Sequence, residues 1–485
     1  MENKPIYKEY QVVIGLEIHA QLSTASKMYC ADSTEFGQSP NTNISPVSLG
    51  HPGTLPFVNE KAIEYAIKMG LATDCTINQF NGFARKNYFY ADLPKGYQIT
   101  QDKTPICTDG RMAIEVDEKE VTIGITRIHL EEDAGKSTHD LDPYNTLVDL
   151  NRAGVPLIEI VSEPDIRSAE EAMVYLGEMR KLVRYLGVCD GNMEEGSMRC
   201  DANISVMKKG AKEFGERCEI KNMNSIRNVG RAISHEFTRQ IDLIESGGVV
   251  EQQTRSFNAL DGTTALMRSK ENAHDYRYFP EPDLPVVIVK DEQIEAIRSE
   301  MPKLAKELYT EYTQNLKLSD YDAKVISDDK SVSDFYNDLI QKTSNYKAAA
   351  NWLLGPVKSY LNENAVEIDD FPISTEKISR IIALIEEGKF NFSSASQKLF
   401  PALLENPSEN IEQLAEKLNI VQNSDAGDIE RIIDEVLAMF PDKVEEYRSG
   451  KKGLQGMFMG QVMKKSQGKA DPKVANQILA KKLNG

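Results

Sequence analysis

Long apolar runs are missing from this 485-residue sequence. No segment approaches the roughly 20 consecutive apolar residues that span a bilayer, so a membrane-spanning helix is not expected. The N-terminal segment MENKPIYKEYQ also lacks the apolar core of a secretory signal. We therefore expect a cytoplasmic protein with no membrane partner, and a hydrophobic fraction of 40% is typical of a globular chain.

Cysteine is scarce, and its spacing matches no common metal or disulfide pattern. None of the six cysteines forms a CxxC pair, so the sequence suggests neither a zinc site nor a disulfide framework. The plain interpretation is a set of reduced thiols in a cytosolic protein.

Positive charge is scarce except near the C-terminus. The chain has 57 Lys and Arg against 75 Asp and Glu, and this net charge of −18 argues against nucleic-acid binding over the whole surface. Residues 451–483 nevertheless hold eight lysines and one aspartate. A basic helix end can simply be solvated, but in an acidic protein we favour contacts of Lys464, Lys465 and Lys469 with an RNA phosphate backbone.

The first 292 residues are predicted to be rich in strands. Strand patterns occur at 11–22, 112–130, 146–152, 156–163, 198–209 and 217–224. Two helices interrupt them, at 168–188 with Ser168 and Glu171 as a capping box, and at 225–248, which ends in two glycines. Many strands with few crossover helices predict a mainly antiparallel α+β domain.

Beyond residue 292 the pattern becomes helical. Apolar residues recur at helical spacing over 291–313, 345–364 and 375–388, and a break near 401–411 predicts a linker. We therefore expect three domains: a strand-rich domain over 1–292, an all-α domain over 293–407 and a small α-helical tail over 408–485.

The segment GLEIHAQL, residues 15–22, alternates apolar and polar residues and predicts a half-buried strand with Glu17 and His19 on one face. Later segments repeat this alternation and place on one face Arg199, Asp201, Asn203 and Ser205, and then Arg217, Glu219 and Lys221. A further acidic group lies in IHLEEDAGKS, which contains His129, Glu131, Glu132 and Asp133.

These polar faces can be the solvent side of an ordinary sheet, and for any single strand that is the simpler interpretation. It weakens over several strands, because solvated faces usually mix in Lys and Thr, whereas these hold mainly Glu, His, Asp, Asn and Arg. Carboxylates ligate hard cations, and Arg binds phosphates. We therefore favour a Mg²⁺–nucleotide site with the sheet as its floor.

Two aromatic segments also contain charged residues. RKNYFYADLPKGYQ sets Lys86 and Lys95 among tyrosines, and DYRYFPEPDLP mixes acids with aromatics and prolines. A lysine in a polar passage can relay or gate a small nucleophile, although a solvated lysine is the commoner case. A packed irregular loop is an equally good interpretation of the second segment.

Taken in order, several motifs resemble one family, the B subunits of bacterial aspartyl/glutamyl-tRNA amidotransferases. The resemblance runs nearly from end to end of the chain, and it rests on GLEIHAQL, PGTLP, RKNYFYADLPKGYQI, HLEEDAGKS, VDLNRAGVPLIEIVSEPDIRS, EEGSMRCDANIS, EIKNMNS, DYRYFPEPD and GLQGMFMGQVMKKSQGKADP. It implies a cradle-shaped catalytic domain related to glutamine synthetase, followed by a helical domain and a tail that grip tRNA.

The resemblance also implies an activity. ATP phosphorylates the side-chain carboxylate of Glu-tRNA(Gln) or Asp-tRNA(Asn), and ammonia displaces the phosphate to give Gln-tRNA(Gln) or Asn-tRNA(Asn). An ionised carboxylate is a poor electrophile, and divalent metal offsets the charge that develops during phosphoryl transfer. The cofactors expected are ATP and Mg²⁺.

By the family pattern, individual residues acquire roles. The residues expected around the metal are Glu17, His19 and Glu132, with Asp201 and Glu219 as further ligands. Arg199, Asn203 and Lys221 suit the nucleotide phosphates, and Lys86 and Glu132 are expected at the mouth of an ammonia channel.

The family implies partners as well. No glycine- and serine-rich amidase signature occurs here, so ammonia must come from a glutaminase A subunit, and a small C subunit completes a heterotrimer. Some members bind zinc through a CxC and a CxxC near the N-terminus. Only Cys30 of those four cysteines is present, so we predict no structural zinc.

Two other functions fit parts of the sequence. A ligase that forms an acyl phosphate on a free small molecule would use the same polar faces, but it would leave the basic tail and the helical region without a purpose. An RNA-binding scaffold without catalysis fits the tail but not the acidic strands.

Overall fold

The computed structural model describes residues 4–139, 141–269, 276–421, 426–466 and 470–484. It divides into two compact units, one up to Leu304 and one from Ala305 onward. The three-domain division at 292/293 and 407/408 stays a prediction. Within the described residues, no helix is both long and apolar enough to cross a membrane.

The first unit is built around strands. In chain order these are β1 (Tyr10–Gln21), β2 (Thr76–Ile77), β3 (Phe80–Asn81), β4 (Ala84–Asn87), β5 (Tyr97–Thr100), β6 (Cys107–Val116), β7 (Lys119–Glu132), β8 (Lys136–Thr138), β9 (Leu147–Asp149), β10 (Pro156–Ser162), β11 (Met198–Lys208), β12 (Cys218–Met223), β13 (Gln253–Asn258), β14 (Thr263–Ser269), β15 (Phe279–Pro280) and β16 (Val287–Ile288). Its helices are α1 (Glu60–Ala72), α2 (Ala169–Tyr185), α3 (Ile226–Glu245) and α4 (Asp291–Ser299).

Twelve of these strands form one sheet. Its main path runs β14-β13-β12-β11-β1-β10-β7-β5-β4-β15, and β6 with β2 extends from β7. Among the described strands, the β12–β13 pair is parallel, and the other pairs are antiparallel. The prediction of a mainly antiparallel sheet is therefore confirmed. Strand β1 lies in the middle of the sheet, between β10 and β11.

Alternation along β1 separates the core from the polar face. Ile14, Leu16 and Ile18 are fully buried, whereas Glu17 and His19 are only half-buried. The apolar residues of β10 and β11 join the same core, which α1, α2 and α3 cover. The helices therefore lie on the apolar face of the central strands and leave the polar face uncovered.

Helices α2 and α3 each begin after a capping serine, and the serine of α2 is the predicted one. The Ser168 hydroxyl accepts a hydrogen bond from the Glu171 N–H (3.0 Å), and Ser225 caps α3 in the same way. The Glu171 carboxylate accepts from the Arg167 N–H (2.6 Å), one residue earlier than a standard capping box requires.

The second unit is helical. Its helices are α5 (Ala305–Gln314), α6 (Asp320–Ser327), α7 (Lys330–Ile340), α8 (Tyr346–Trp352), α9 (Lys358–Asn364), α10 (Thr375–Glu386), α11 (Phe392–Ser394), α12 (Phe400–Glu405), α13 (Ile411–Lys417), α14 (Ala426–Met439), α15 (Pro441–Arg448), α16 (Leu454–Lys465) and α17 (Pro472–Asn484). Single π-helical turns at Leu353–Val357 and Ala395–Leu399 join neighbouring helices. Helices α14 to α17 share a hydrophobic cluster of their own.

The segment 291–313, which has helical spacing, forms two helices rather than one. It divides into α4, which ends at Ser299, and α5, which begins at Ala305. Pro302 lies in the gap, and a proline has no N–H to donate and disfavours helical geometry in the residue before it.

Candidate active site

Strand register brings the polar residues into rows across the sheet. His19 on β1 lies opposite Arg199 on β11 and opposite Glu159 on β10. Glu159 in turn lies opposite His129 on β7. Because residues directly opposite each other share a face of the sheet, these side chains lie on the polar side.

A cavity of about 660 Å³ lies over this face. Its walls are almost entirely polar or charged and include Glu17, His19, Glu131, Glu159 and Asp201. Aliphatic side chains contribute little to it, since Ala134 and Leu157 are the two among its lining residues. Such a cavity suits a charged ligand rather than an apolar one.

One group of potential ligands consists of His19, Glu131 and Glu159. The His19 Nε2 atom lies 3.2 Å from a Glu159 carboxylate oxygen and 3.9 Å from a Glu131 oxygen. Ligand atoms from the three residues all fall within 4.8 Å of one another. His129 also faces this group, with its Nε2 atom 3.4 Å from Glu159.

Electrostatics distinguish the two histidines. Burial lowers the pKa of His19, but the carboxylates of Glu159 and Glu131 outweigh it and raise the pKa to about 9. Burial lowers the pKa of His129 to about 4. At neutral pH His19 thus carries a proton that a bound cation would displace, whereas His129 is neutral.

A second group consists of Glu17, Asp201 and Glu219, again with ligand atoms within 4.8 Å. Lys221 donates to Asp201 (2.5 Å) and lies 3.1 Å from a Glu219 oxygen. The amide of Asn203 donates to Glu17 (2.8 Å). Burial raises the pKa of Glu17, and the negative charges of Glu159 and Glu219 raise it further.

These two groups fit divalent cations. The second group offers three carboxylates, which are the preferred ligands of Mg²⁺. The first adds one imidazole nitrogen to two carboxylates, a mixed set that Mn²⁺ also accepts. Neighbouring carboxylates also raise the pKa values of Glu17 and Glu131, which shows that these negative charges repel one another. A bound cation would relieve that repulsion.

Comparison with known proteins identifies the family to which the chain belongs. Residues 12–295 match the GatB/GatE catalytic domain family, and residues 334–483 match the GatB domain family. Relatives named as the B subunit of aspartyl/glutamyl-tRNA(Asn/Gln) amidotransferase, from Syntrophotalea carbinolica and Geobacter sulfurreducens, are both 49% identical, over 98% of this chain and 99% and 100% of theirs. The relative of that name from Gloeothece citriformis is 48% identical over 99% of each chain. This chain belongs to the family of amidotransferase B subunits. The resemblance predicted from its motifs, and its assignment to an enzyme subunit, are therefore confirmed.

This amidotransferase family member brings most of its predicted metal ligands together, but not all. Glu17, Asp201 and Glu219 form one group, and His19 belongs to the adjacent one. Glu132 joins neither. It accepts hydrogen bonds from Lys95 and from the Ile99 N–H (2.9 Å), and it lines a separate cavity of about 140 Å³.

Strand alternation explains the placement of Glu132. Glu131 lies on the polar face of β7, so its neighbour Glu132 must lie on the opposite face. The structure thus does not bring Glu132 to Glu17 and His19, where the resemblance placed it, and Glu131 occupies that position. Lys86 lines the large cavity rather than the cavity of Glu132.

The residues predicted for the nucleotide phosphates lie around these groups. Arg199 donates to the buried Asp133 (2.8 Å), which raises the pKa of Arg199. Lys221 bridges two acids, and Asn203 holds Glu17. Lys86 lies 5.2 Å from the ring centre of Tyr276, and it has no hydrogen bond or ion pair within the described residues.

The predicted tail lysines differ in their surroundings. Lys464 and Lys465 lie in the last turn of α16, and both are exposed. Lys465 forms an ion pair with Glu435 (2.7 Å). Lys469 lies outside the described residues.

The segment DYRYFPEPDLP contains a buried residue, Glu281, that fixes it to the sheet. Glu281 accepts two hydrogen bonds from Arg85, at 2.6 and 2.9 Å, and its carboxylate is buried. Asp275 lies outside the described residues. The buried pair anchors the segment to β4.

The sequence analysis noted His129 and Glu131 within the acidic group of IHLEEDAGKS but gave them no individual role, and it did not single out Glu159. Glu159 is a single charged residue within the apolar run PLIEIV, and this isolation was a usable signal. A charge at the centre of a buried strand is costly unless it has partners, so it marks either a network or a site.

Proposed function

We propose that this chain is the subunit of a tRNA-dependent amidotransferase that activates and amidates the side-chain carboxylate of Glu-tRNA(Gln), Asp-tRNA(Asn) or both. The proposal rests on two clusters of potential metal ligands, His19–Glu131–Glu159 and Glu17–Asp201–Glu219. Both clusters line one charged cavity, and all six residues lie within the part of the chain that matches the GatB/GatE catalytic domain family. The large sheet is expected to form a cradle like that of glutamine synthetase.

The reaction proceeds in two balanced steps. A carboxylate oxygen attacks the γ-phosphorus of ATP, and ADP leaves. Ammonia then attacks the acyl carbon, phosphate leaves with one ammonia proton, and the amide remains on the tRNA. Mg²⁺ bound by the two carboxylate groups would offset charge on the phosphates.

Cationic and amide side chains in and beside the charged cavity are proposed to orient the reactants. Asn203 and Lys221 hydrogen-bond to members of the Glu17 group, and Arg199 hydrogen-bonds to Asp133 in the charged cavity. All three are proposed to hold the nucleotide phosphates. Lys86 keeps its proton, since nearby Glu131 raises its pKa despite the opposing effect of burial. It is proposed to face the acyl phosphate.

Ammonia is proposed to come from a glutaminase A subunit, with a small C subunit completing a cytoplasmic heterotrimer. The cavity that holds Glu132 and Lys95 lies behind β7, and its small volume and polar lining suit the passage of ammonia. The tail lysines are proposed to contact tRNA. The absence of structural zinc remains a prediction, which elemental analysis of the purified protein tests.

The test is amidation by the purified complex. With glutamine, ATP and Mg²⁺, it should convert Glu-tRNA(Gln) to Gln-tRNA(Gln) and release ADP and phosphate in equal amounts. Activity on free glutamate without tRNA would instead favour an acyl-phosphate ligase acting on a small molecule.

A further inference from the structure

A buried hydroxyl group at the small cavity of Glu132 and Lys95 has no hydrogen-bond partner. Tyr29 lines this cavity and is 4% exposed. Its hydroxyl oxygen makes no hydrogen bond to any of the described residues. Because an unpaired buried polar group is unfavourable, proteins usually satisfy such a group with a small bound molecule. The Tyr29 hydroxyl therefore marks a binding position that the two groups of metal ligands do not explain.

The Tyr29 hydroxyl keeps its proton and can donate it in a hydrogen bond. Burial raises the pKa of Tyr29 well above its ordinary value, and the negative charges of Glu132, Glu131 and Glu281 raise it further. Lys95, a cation that lines the same cavity, lies 5.7 Å from the centre of the Tyr29 ring. The O–H group is satisfied only by a bound molecule that offers a lone pair.

The volume of the cavity points to a very small molecule. About 140 Å³ is well below the roughly 300–1,000 Å³ of ordinary ligand pockets. One water molecule needs about 10–15 Å³ of such space. The cavity therefore suits molecules of the size of water or ammonia.

The charges around the cavity are balanced, which favours a neutral bound molecule. Among the described residues that line it, the acids are Glu132 and Asp283. Glu132 forms an ion pair with Lys95, and Asp283 lies 3.3 Å from Arg85. The other titratable lining residues, which are not anions at neutral pH, are Cys30, His51 and Tyr97. Both carboxylates have cationic partners, so neither offers unbalanced negative charge to ammonium.

We propose that this cavity holds neutral ammonia, with the Tyr29 hydroxyl donating a hydrogen bond to the nitrogen lone pair. Ammonium has no lone pair, so the cavity selects ammonia against its protonated form. The inference rests on the proposed function, because it assigns a residue and a protonation state to the nitrogen that the A subunit supplies. Water also offers a lone pair, and the experiments separate the two molecules.

The first experiment uses the complete amidotransferase complex carrying Tyr29→Phe, which removes only the hydroxyl. With glutamine, this variant should raise the ratio of glutamine hydrolysed to amide formed by about 2- to 10-fold, the change expected from the loss of one hydrogen bond. With added ammonium, which reaches the charged cavity from solution, the amidation rate should stay at the wild-type level. Equal losses with the two nitrogen sources would overturn the inference.

Tyr175→Phe is the matched control. Tyr175 is also a buried tyrosine whose hydroxyl has no partner among the described residues, but it lies in the hydrophobic core and lines neither this cavity nor the charged one. Tyr175→Phe should leave the ratio of glutamine hydrolysed to amide formed at the wild-type value. An unchanged ratio in Tyr29→Phe, or the same increase in both variants, would also overturn the inference.

The second experiment does not depend on amidation. In the full chain labelled with ¹³C at the tyrosine Cζ atoms, the Tyr29 signal is the one that Tyr29→Phe removes. At a constant total of ammonium chloride, this signal should shift as rising pH converts ammonium to ammonia, beyond the shift seen in potassium chloride. Identical shifts in the two salts would leave water as the bound molecule and overturn the inference. A complex that amidates tRNA with neither nitrogen source would refute the proposed function, and the Tyr29 signal would still decide whether this cavity binds ammonia.

Discussion

Glu131 and Glu132 are adjacent in the chain, yet they serve opposite faces of the sheet. Glu131 lies 3.9 Å from His19 in the large charged cavity, and Glu132 accepts a hydrogen bond from the Ile99 N–H in a small cavity behind it. Two neighbouring acids of identical chemistry can therefore be tested against each other.

Metal binding should depend on one of these acids and not on the other. Glu131→Gln should weaken Mn²⁺ binding by at least about 10-fold, because even loss of a group that only orients a metal ligand typically costs that much. Glu132→Gln should retain the wild-type affinity. Titration of Mn²⁺ followed by electron paramagnetic resonance measures both, and equal losses in the two variants would contradict the assignment.

Use of glutamine as the nitrogen source should depend specifically on Glu132, in contrast to metal binding, which should depend on Glu131. If the cavity behind β7 carries ammonia, Glu132→Gln should reduce amidation with glutamine far more than amidation with added ammonium, which reaches the site from solution. Glu131→Gln should reduce both, because it affects the metal. The ratio of the two rates is the measurement, and an unchanged ratio for Glu132→Gln would exclude a role in the passage.

The buried Glu236 on α3 should stabilise the first unit. It is 0% exposed and accepts hydrogen bonds from Arg239 (2.6 Å) and Gln240 (2.8 Å). Glu236→Gln leaves the arginine without its ionic partner and should cost on the order of 3 kcal/mol at neutral pH. Urea denaturation measures this cost, and Asp242→Asn, at an exposed site on the same helix, should change the midpoint little.

The effect of Glu236 should fade in acid. Burial raises its pKa, but the hydrogen bonds from Arg239 and Gln240 outweigh burial and hold the pKa below its ordinary 4.5. The stabilisation is complete above that ordinary value and disappears as the pH falls through the lower folded value. The difference in the free energy of unfolding between wild type and Glu236→Gln should therefore shrink as the pH is lowered. A difference that is independent of pH would contradict this role of the Glu236 charge.

In the tail, Lys464 should matter more for tRNA than a lysine already paired with acids. It has no ion pair within the described residues, whereas Lys482 pairs with Glu430 and Asp434. Lys464→Ala should weaken tRNA binding and reduce the slope of log affinity against log salt by about one. Lys482→Ala should have a smaller effect on the slope, and equal slopes for Lys464→Ala and wild type would remove Lys464 from the interface.

Alternation was enough to predict which residues of β1 and β11 face the site. It placed Glu17 with His19 and Arg199 with Asp201, because the side-chain period of a strand is two residues. It could not say which face of β7 joined them, since Glu131 and Glu132 are both acids. Only the register of β7 with β10, which is set by contacts distant in sequence, resolves that choice.

Because strand register is not encoded locally, the His19–Glu131–Glu159 group could not be predicted from the sequence. Glu159 lies opposite His19 through a pairing that joins residues 140 positions apart, and no local pattern encodes it. Helix boundaries were easier, because Ser168 and Ser225 are local signals. Pro302 was also a local signal of a break between α4 and α5, but the helical spacing on both sides of it concealed the break.

The central position of β1 has a consequence for synthesis on the ribosome. The strand that carries Glu17 and His19 is made before both of its partner strands, and its pairing with β11 reaches as far as Lys208. At about 5–20 residues per second, the ribosome needs about 10–40 s to supply them. Until β10 is made, this alternating apolar strand has both edges unpaired, and one edge stays unpaired until β11 follows. The nascent chain is therefore prone to aggregation at the segment on which the site is built.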